Sequence, residues 1–163
     1  MIKQIVPEEV CLKCRGCCRF SQQDSAWLPG LLDEEIEELL KKSFPPSLIS
    51  QEKKIRSEPH PEENNFICSF FQAQDNKCKI YVFRPFECQL YPFLINQKGI
   101  KVFLAVDLKC PFVQENLESP KFKRYIQDLT DLLNSPGRRK ILRDNPQVIQ
   151  AYAGTLNLAE LKL

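Results

Sequence analysis

The 163-residue sequence has one histidine, almost no net charge and no long apolar run, and each shortage removes a class of function. Basic and acidic side chains number 23 and 21, so no field of one sign is available to draw nucleic acid or a membrane surface. No stretch approaches the roughly 18 apolar residues that a membrane-spanning helix needs. The opening Met1–Val10 holds only a short apolar pair before a proline and two glutamates, unlike a secretory leader. These absences predict a soluble, cytoplasmic protein with no membrane or nucleic-acid partner, and they leave another protein as the open partner class. His60 stands between prolines in a polar stretch, where a solvated loop residue is expected rather than a ligand or base. Arg138, Arg139, Lys140 and Arg143 lack interleaved aromatics and read as a solvated helix face. With no G-x-G-x-x-G loop and no Ser/His/Asp-type set, the residues name no reaction.

Against these shortages stand eight cysteines. At 43% hydrophobic, the chain can bury a core without cross-links, so one domain over residues 1–163 is expected. The cytosol keeps thiols reduced, which makes metal binding the leading account of the cysteines. In Cys11-Leu-Lys-Cys-Arg-Gly-Cys-Cys18 the C-x2-C spacing occurs twice. Such a short link lets two sulfurs converge on one ion or cluster. The tight triple Cys11, Cys14 and Cys17, with Cys110-Pro111 as a remote fourth ligand, resembles the spacing of a 4Fe-4S site. Zinc more often uses separated pairs, so iron and sulfur are favoured, with zinc as the alternative. Cys110 also has a plain reading as a small buried hydrophobe. Adjacent side chains of an extended segment point opposite ways, so Cys17 and Cys18 are expected on different sites. Cys18, Cys68, Cys78 and Cys88 then form a second set, although spacing alone does not fix the partition.

The fold class expected is α+β: an irregular cysteine-rich core over residues 11–110 with short hairpins, then a helical extension over residues 119–163. The Cys11–Cys18 segment reads as an irregular ligand loop. Asp33 is placed to cap a helix with Ile36, Leu39 and Leu40 on one face, ended before Pro45-Pro46. A small hairpin is expected around Asp75-Asn76, and a clearer one joins Phe93-Leu-Ile95 to Ile100–Val106 across Asn96-Gln-Lys-Gly99. Phe122, Tyr125, Ile126, Leu129, Leu132 and Leu133 trace one helix face, and a further helix is expected from Pro146 through Val148, Ile149, Tyr152 and Leu156.

The cysteine run, followed by Cys78-Lys-Ile-Tyr-Val-Phe-Arg-Pro-Phe-Glu-Cys-Gln-Leu-Tyr-Pro92, resembles the YkgJ-type cysteine-cluster family, the zinc- or iron-chelating CxxCxxCC domain. The resemblance spans Cys11 to Cys110 and implies Cys11, Cys14, Cys17, Cys18, Cys68, Cys78 and Cys88 as the metal set. Where many relatives carry arginine after the last motif cysteine, this chain has Gln89. A similar cluster occurs in flagellin lysine methylases, so a modification enzyme is a third expectation, behind an iron-sulfur protein in an electron-transfer or accessory role and a zinc-stabilised binding module. Arg84 is read as a cofactor-binding cation that offsets thiolate charge, Pro85 as fixing the turn that presents Cys88, and Tyr81 and Tyr91 as packing that shields the site.

Overall fold

The computed structural model describes residues 2–14 and 16–163. Its elements run α1 (Glu8–Cys14), β1 (Arg19–Phe20), α2 (Asp33–Lys41), β2 (Ser57–Pro59), β3 (Phe66–Cys68), β4 (Phe71–Gln72), β5 (Lys77–Cys78), α3 (Phe86–Leu90), β6 (Phe93–Lys98), β7 (Lys101–Asp107), α4 (Pro111–Asn116), α5 (Pro120–Leu133), α6 (Pro136–Asp144) and β8 (Thr155–Glu160). The class is α+β, with every strand pairing antiparallel among the described residues.

Two apolar clusters organise these elements. The first unites β6 and β7 with α5 and α6, around Phe93, Ile95, Leu104, Phe122, Leu133 and Leu142. The amphipathic face foreseen for α5 supplies Phe122, Leu129 and Leu133, all buried, and Ser119 caps the helix by accepting the Phe122 N–H at 3.2 Å. The second cluster gathers Phe20, Leu31, Leu39, Ile55, Ile67, Phe70 and Ile80 beneath α2 and the short strands. Cys68 belongs to this cluster and Cys110 to the first, so the outlying cysteines are anchored in both.

The β6–β7 hairpin is present, with a tighter turn than expected. Lys98 pairs with Lys101, leaving Gly99-Ile100 as a two-residue loop, and Asn96 lies within the strand. Gly99 takes a φ of 62°, which suits glycine at the first position of a primed hairpin turn. The hairpin around Asp75-Asn76 is short, pairing only Phe71 with Cys78 and Gln72 with Lys77. β3 instead lies between β1 and β2.

Three expectations are corrected. The described residues between Cys11 and Cys18 are not irregular: Glu8 and Glu9 at the start of α1 and Lys13 at its end suit the helix dipole, and Gly16–Cys18 forms a 3₁₀ turn. Asp33 does not cap α2; it is the first helical residue, and Glu35 turns back to accept the Leu32 N–H at 2.8 Å. No helix follows Pro146, where a single 3₁₀ turn leads to β8, which pairs with β7. Buried Asn96 captures this last segment by accepting the Tyr152 N–H at 2.8 Å and donating to Asn157 at 2.8 Å. Those hydrogen bonds outweigh the apolar spacing that suggested a helix.

Candidate metal centre

Short elements bring the cysteines together from five parts of the chain. One turn of α1 places Cys11 and Cys14 three residues apart on one face. The 3₁₀ turn that follows carries Cys17 and Cys18, and β1 runs on to pair with β3, whose last residue is Cys68. The β4–β5 pairing sets Cys78 opposite Phe71. Pro85 precedes α3, which holds Cys88, and Cys110 directly precedes Pro111 at the start of α4.

Cys11, Cys17, Cys18, Cys68, Cys78 and Cys88 line one cavity of about 420 Å³. Its walls also include Trp27, Tyr81, Tyr91, Tyr152, Arg84, Glu87 and Asp107. Cys14 and Cys110 stand outside that lining and are electrostatic neighbours of Cys11. Among the described residues, no group of three or more His, Cys, Asp and Glu side chains is arranged to hold one metal ion. The sulfurs instead surround a space, and only Cys17 and Cys18 form a thiol–thiol contact among those residues, with Sγ atoms 4.0 Å apart.

Electrostatics bind the cysteines into one system. Burial pushes Cys68 up to about 12, with Cys78 and Cys17 adding to the rise. Burial likewise raises Cys11 to about 11, assisted by Cys17, Cys110 and Cys14. Cys88 is driven well above the ordinary thiol value by burial and by Cys68, Cys17 and Cys78, while Cys17 is raised first by its contact with Cys18 and then by burial. Cys17 thus acts on the thiols of Cys11, Cys68 and Cys88. Arg84, stacked at 4.3 Å over the Tyr81 ring, opposes these rises at Cys11, Cys17 and Cys78. Six thiols sharing one partly apolar cavity repel one another once ionised, and a thiophilic cation is the chemistry that relieves this. The donor set therefore fits zinc or iron.

Two sequence expectations change here. Cys17 and Cys18 do not diverge, because a 3₁₀ turn rather than an extended chain carries them, and their sulfurs meet. His60 is not solvated: it is 9% exposed, and its Nδ1 accepts the N–H groups of Glu62 at 3.1 Å and Glu63 at 3.0 Å.

Sequence reasoning missed four wall residues. Asp107 accepts the Tyr91 hydroxyl at 2.9 Å, and Glu87 accepts the Tyr152 hydroxyl at 3.0 Å and the Gly30 N–H. Trp27 packs 5.1 Å from the Tyr152 ring. Burial raises Glu87 to about 8, outweighing the hydrogen bonds from Gly30 and Tyr152 and the charge of Lys54. A glutamate inside the apolar Phe86–Leu90 run, beside Cys88, was the available signal.

A cavity ringed by thiols from α1, β3, β5 and α3 defines a cysteine-cluster metal-binding protein. Residues 10–111 match the CxxCxxCC family, described as a "putative zinc- or iron-chelating domain", and the chain belongs to that family. It is also 29% identical over 103 residues to the uncharacterised protein MJ0661 of Methanocaldococcus jannaschii. That alignment covers 60% of this chain and 52% of the relative, so the chain spans about half of the relative's length. No solved structure matches the chain. No helix among the described residues is long and apolar enough to cross a membrane.

Proposed function

We propose that the chain carries a polynuclear iron-sulfur centre in an electron-transfer or accessory role, held by Cys11, Cys17, Cys18, Cys68, Cys78 and Cys88 with Cys14 and Cys110 in reserve at its edge. The observation that carries this reading is the distribution of six cysteines around a cavity of about 420 Å³ rather than about one point. A single ion needs four ligands and little space. Aromatic walls from Trp27, Phe70, Phe71 and Tyr81 limit water, and Arg84 supplies a cation that offsets thiolate charge. When bound, the cluster would supply one-electron chemistry whose potential is tuned by nearby charge and by hydrogen bonds to sulfur.

A structural zinc is the second reading, favoured by the Cys17–Cys18 separation of 4.0 Å. Metal–sulfur bonds of about 2.3 Å give a tetrahedral edge of about 3.8 Å, so both sulfurs fit one ion. A cubane takes one cysteine per iron, and this pair would then supply one ligand between them. Anaerobic purification followed by visible absorption and assays for iron, acid-labile sulfide and zinc separates the readings. Colour with iron and sulfide supports the cluster; a colourless protein with one zinc per chain supports the module.

A further inference from the structure

Tyr91 lies three residues beyond Cys88 and lines the cavity, with Cys17 and Cys110 among its electrostatic neighbours. A phenol has one proton to donate, and here it goes to Asp107 Oδ2 at 2.9 Å. Asp107 is 5% exposed and is itself held in place. Its Oδ1 accepts the Lys109 N–H at 2.9 Å, its N–H donates to the Pro92 carbonyl at 2.9 Å, and its carbonyl accepts the Cys110 N–H at 3.3 Å. One residue therefore ends β7, sets the backbone at Cys110 and fixes the tyrosine hydroxyl on the cavity wall.

We infer that Asp107 is a positioning residue of the metal centre: by accepting the Tyr91 hydroxyl's hydrogen bond it keeps that hydroxyl from donating to a cysteine sulfur. The inference rests on the iron-sulfur reading above. Donors to sulfur stabilise the more negative, reduced state and raise the potential of a cluster, so a phenol whose proton is committed elsewhere leaves the potential low. The Asp107 carboxylate acts in the same direction through its charge. Replacing it removes that charge and also frees the hydroxyl to turn towards sulfur.

Reduction midpoints of the cluster-loaded protein test this in four forms: wild type, Tyr91→Phe, Asp107→Ala and the double variant. Tyr91→Phe alone is expected to leave the midpoint unchanged, because its hydroxyl makes no bond to sulfur. Asp107→Ala is expected to raise it, and adding Tyr91→Phe to Asp107→Ala is expected to reverse part of that rise. A lower midpoint in Tyr91→Phe alone, or an Asp107→Ala midpoint that Tyr91→Phe does not alter, overturns the inference. If Asp107→Ala assembles no cluster, Asp107→Asn decides. Its amide oxygen still accepts the phenol proton, so adding Tyr91→Phe to Asp107→Asn should shift nothing, and any shift there counts against the inference. Wild-type protein free of iron and sulfide removes the iron-sulfur reading and this inference with it, an outcome distinct from a cluster whose midpoint ignores Asp107.

Discussion

Cys17 and Cys18 are consecutive residues whose sulfurs meet at 4.0 Å, because Gly16 opens a 3₁₀ turn that swings both side chains to the same cavity. In an extended segment they would face apart. The turn makes this pair the hinge of the cysteine set, since Cys17 raises the thiols of Cys11, Cys68, Cys78 and Cys88.

Cys17→Ser is therefore expected to lower metal content more than Cys14→Ser does, because Cys17 lines the cavity and Cys14 does not. Elemental analysis of both variants, purified anaerobically, checks the order. Full metal in Cys17→Ser would remove Cys17 from the centre.

Metal loading should be opposed by acid. Cys11 and Cys68, at about 11 and about 12, are protonated in the metal-free fold at neutral pH, so binding must expel protons and weakens as pH falls. The sign for the metal-free protein is the opposite. Thiols raised above their ordinary 9.0 bind protons more tightly folded than unfolded, so their contribution is intact below about pH 9 and is lost between about 9 and 12. Proton release measured with a pH indicator in weak buffer, and urea unfolding of metal-free protein above pH 9, test the two signs. No proton release on loading would contradict the first, and stability that rises with pH would contradict the second.

What was legible in the sequence was local and chemical. The apolar positions of α5, apart from the exposed Leu132, and glycine at the β6–β7 turn follow from spacing and from backbone freedom, and the cysteine run follows from thiol chemistry. What failed depended on distant partners. The segment after Pro146 has helical spacing, but the Asn96 side chain captures Tyr152 and Asn157 from 56 and 61 residues away and draws the chain into a strand. Asp107 and Glu87 joined the site through the hydroxyls of Tyr91 and Tyr152, relationships that no window of sequence contains.

Gly30 is fixed by close approach rather than by an unusual φ. A Cβ there would stand 2.6 Å from the Gln147 carbonyl oxygen and 3.2 Å from Glu87 Oε2, while the Gly30 N–H already donates to that carboxylate. Gly30→Ala is expected to cost roughly 1–3 kcal/mol, the usual range for overpacking a tight interior. The first contact is backbone and cannot rotate away. Chemical denaturation of the metal-loaded protein measures it, and an unchanged midpoint would mean the Gln147 segment shifts freely.

His60 closes the loop between β2 and β3 by accepting the N–H groups of Glu62 and Glu63 at Nδ1, so its proton must sit on Nε2. Nε2 is buried without a hydrogen-bond partner, 3.8 Å from the Glu63 carboxylate, whose other oxygen accepts from Arg19 at 2.5 Å. Arg19 begins β1 directly after Cys18, which links this loop to the thiol cavity. His60→Ala leaves two backbone donors in a half-buried loop to find water, at a cost of about 1–3 kcal/mol. His60→Gln keeps one acceptor and should recover part of that loss. Nitrogen-15 spectra of the imidazole should show the Nε2–H tautomer at neutral pH; an Nδ1–H tautomer would mean the two N–H groups bond elsewhere, and His60→Ala should then be nearly neutral.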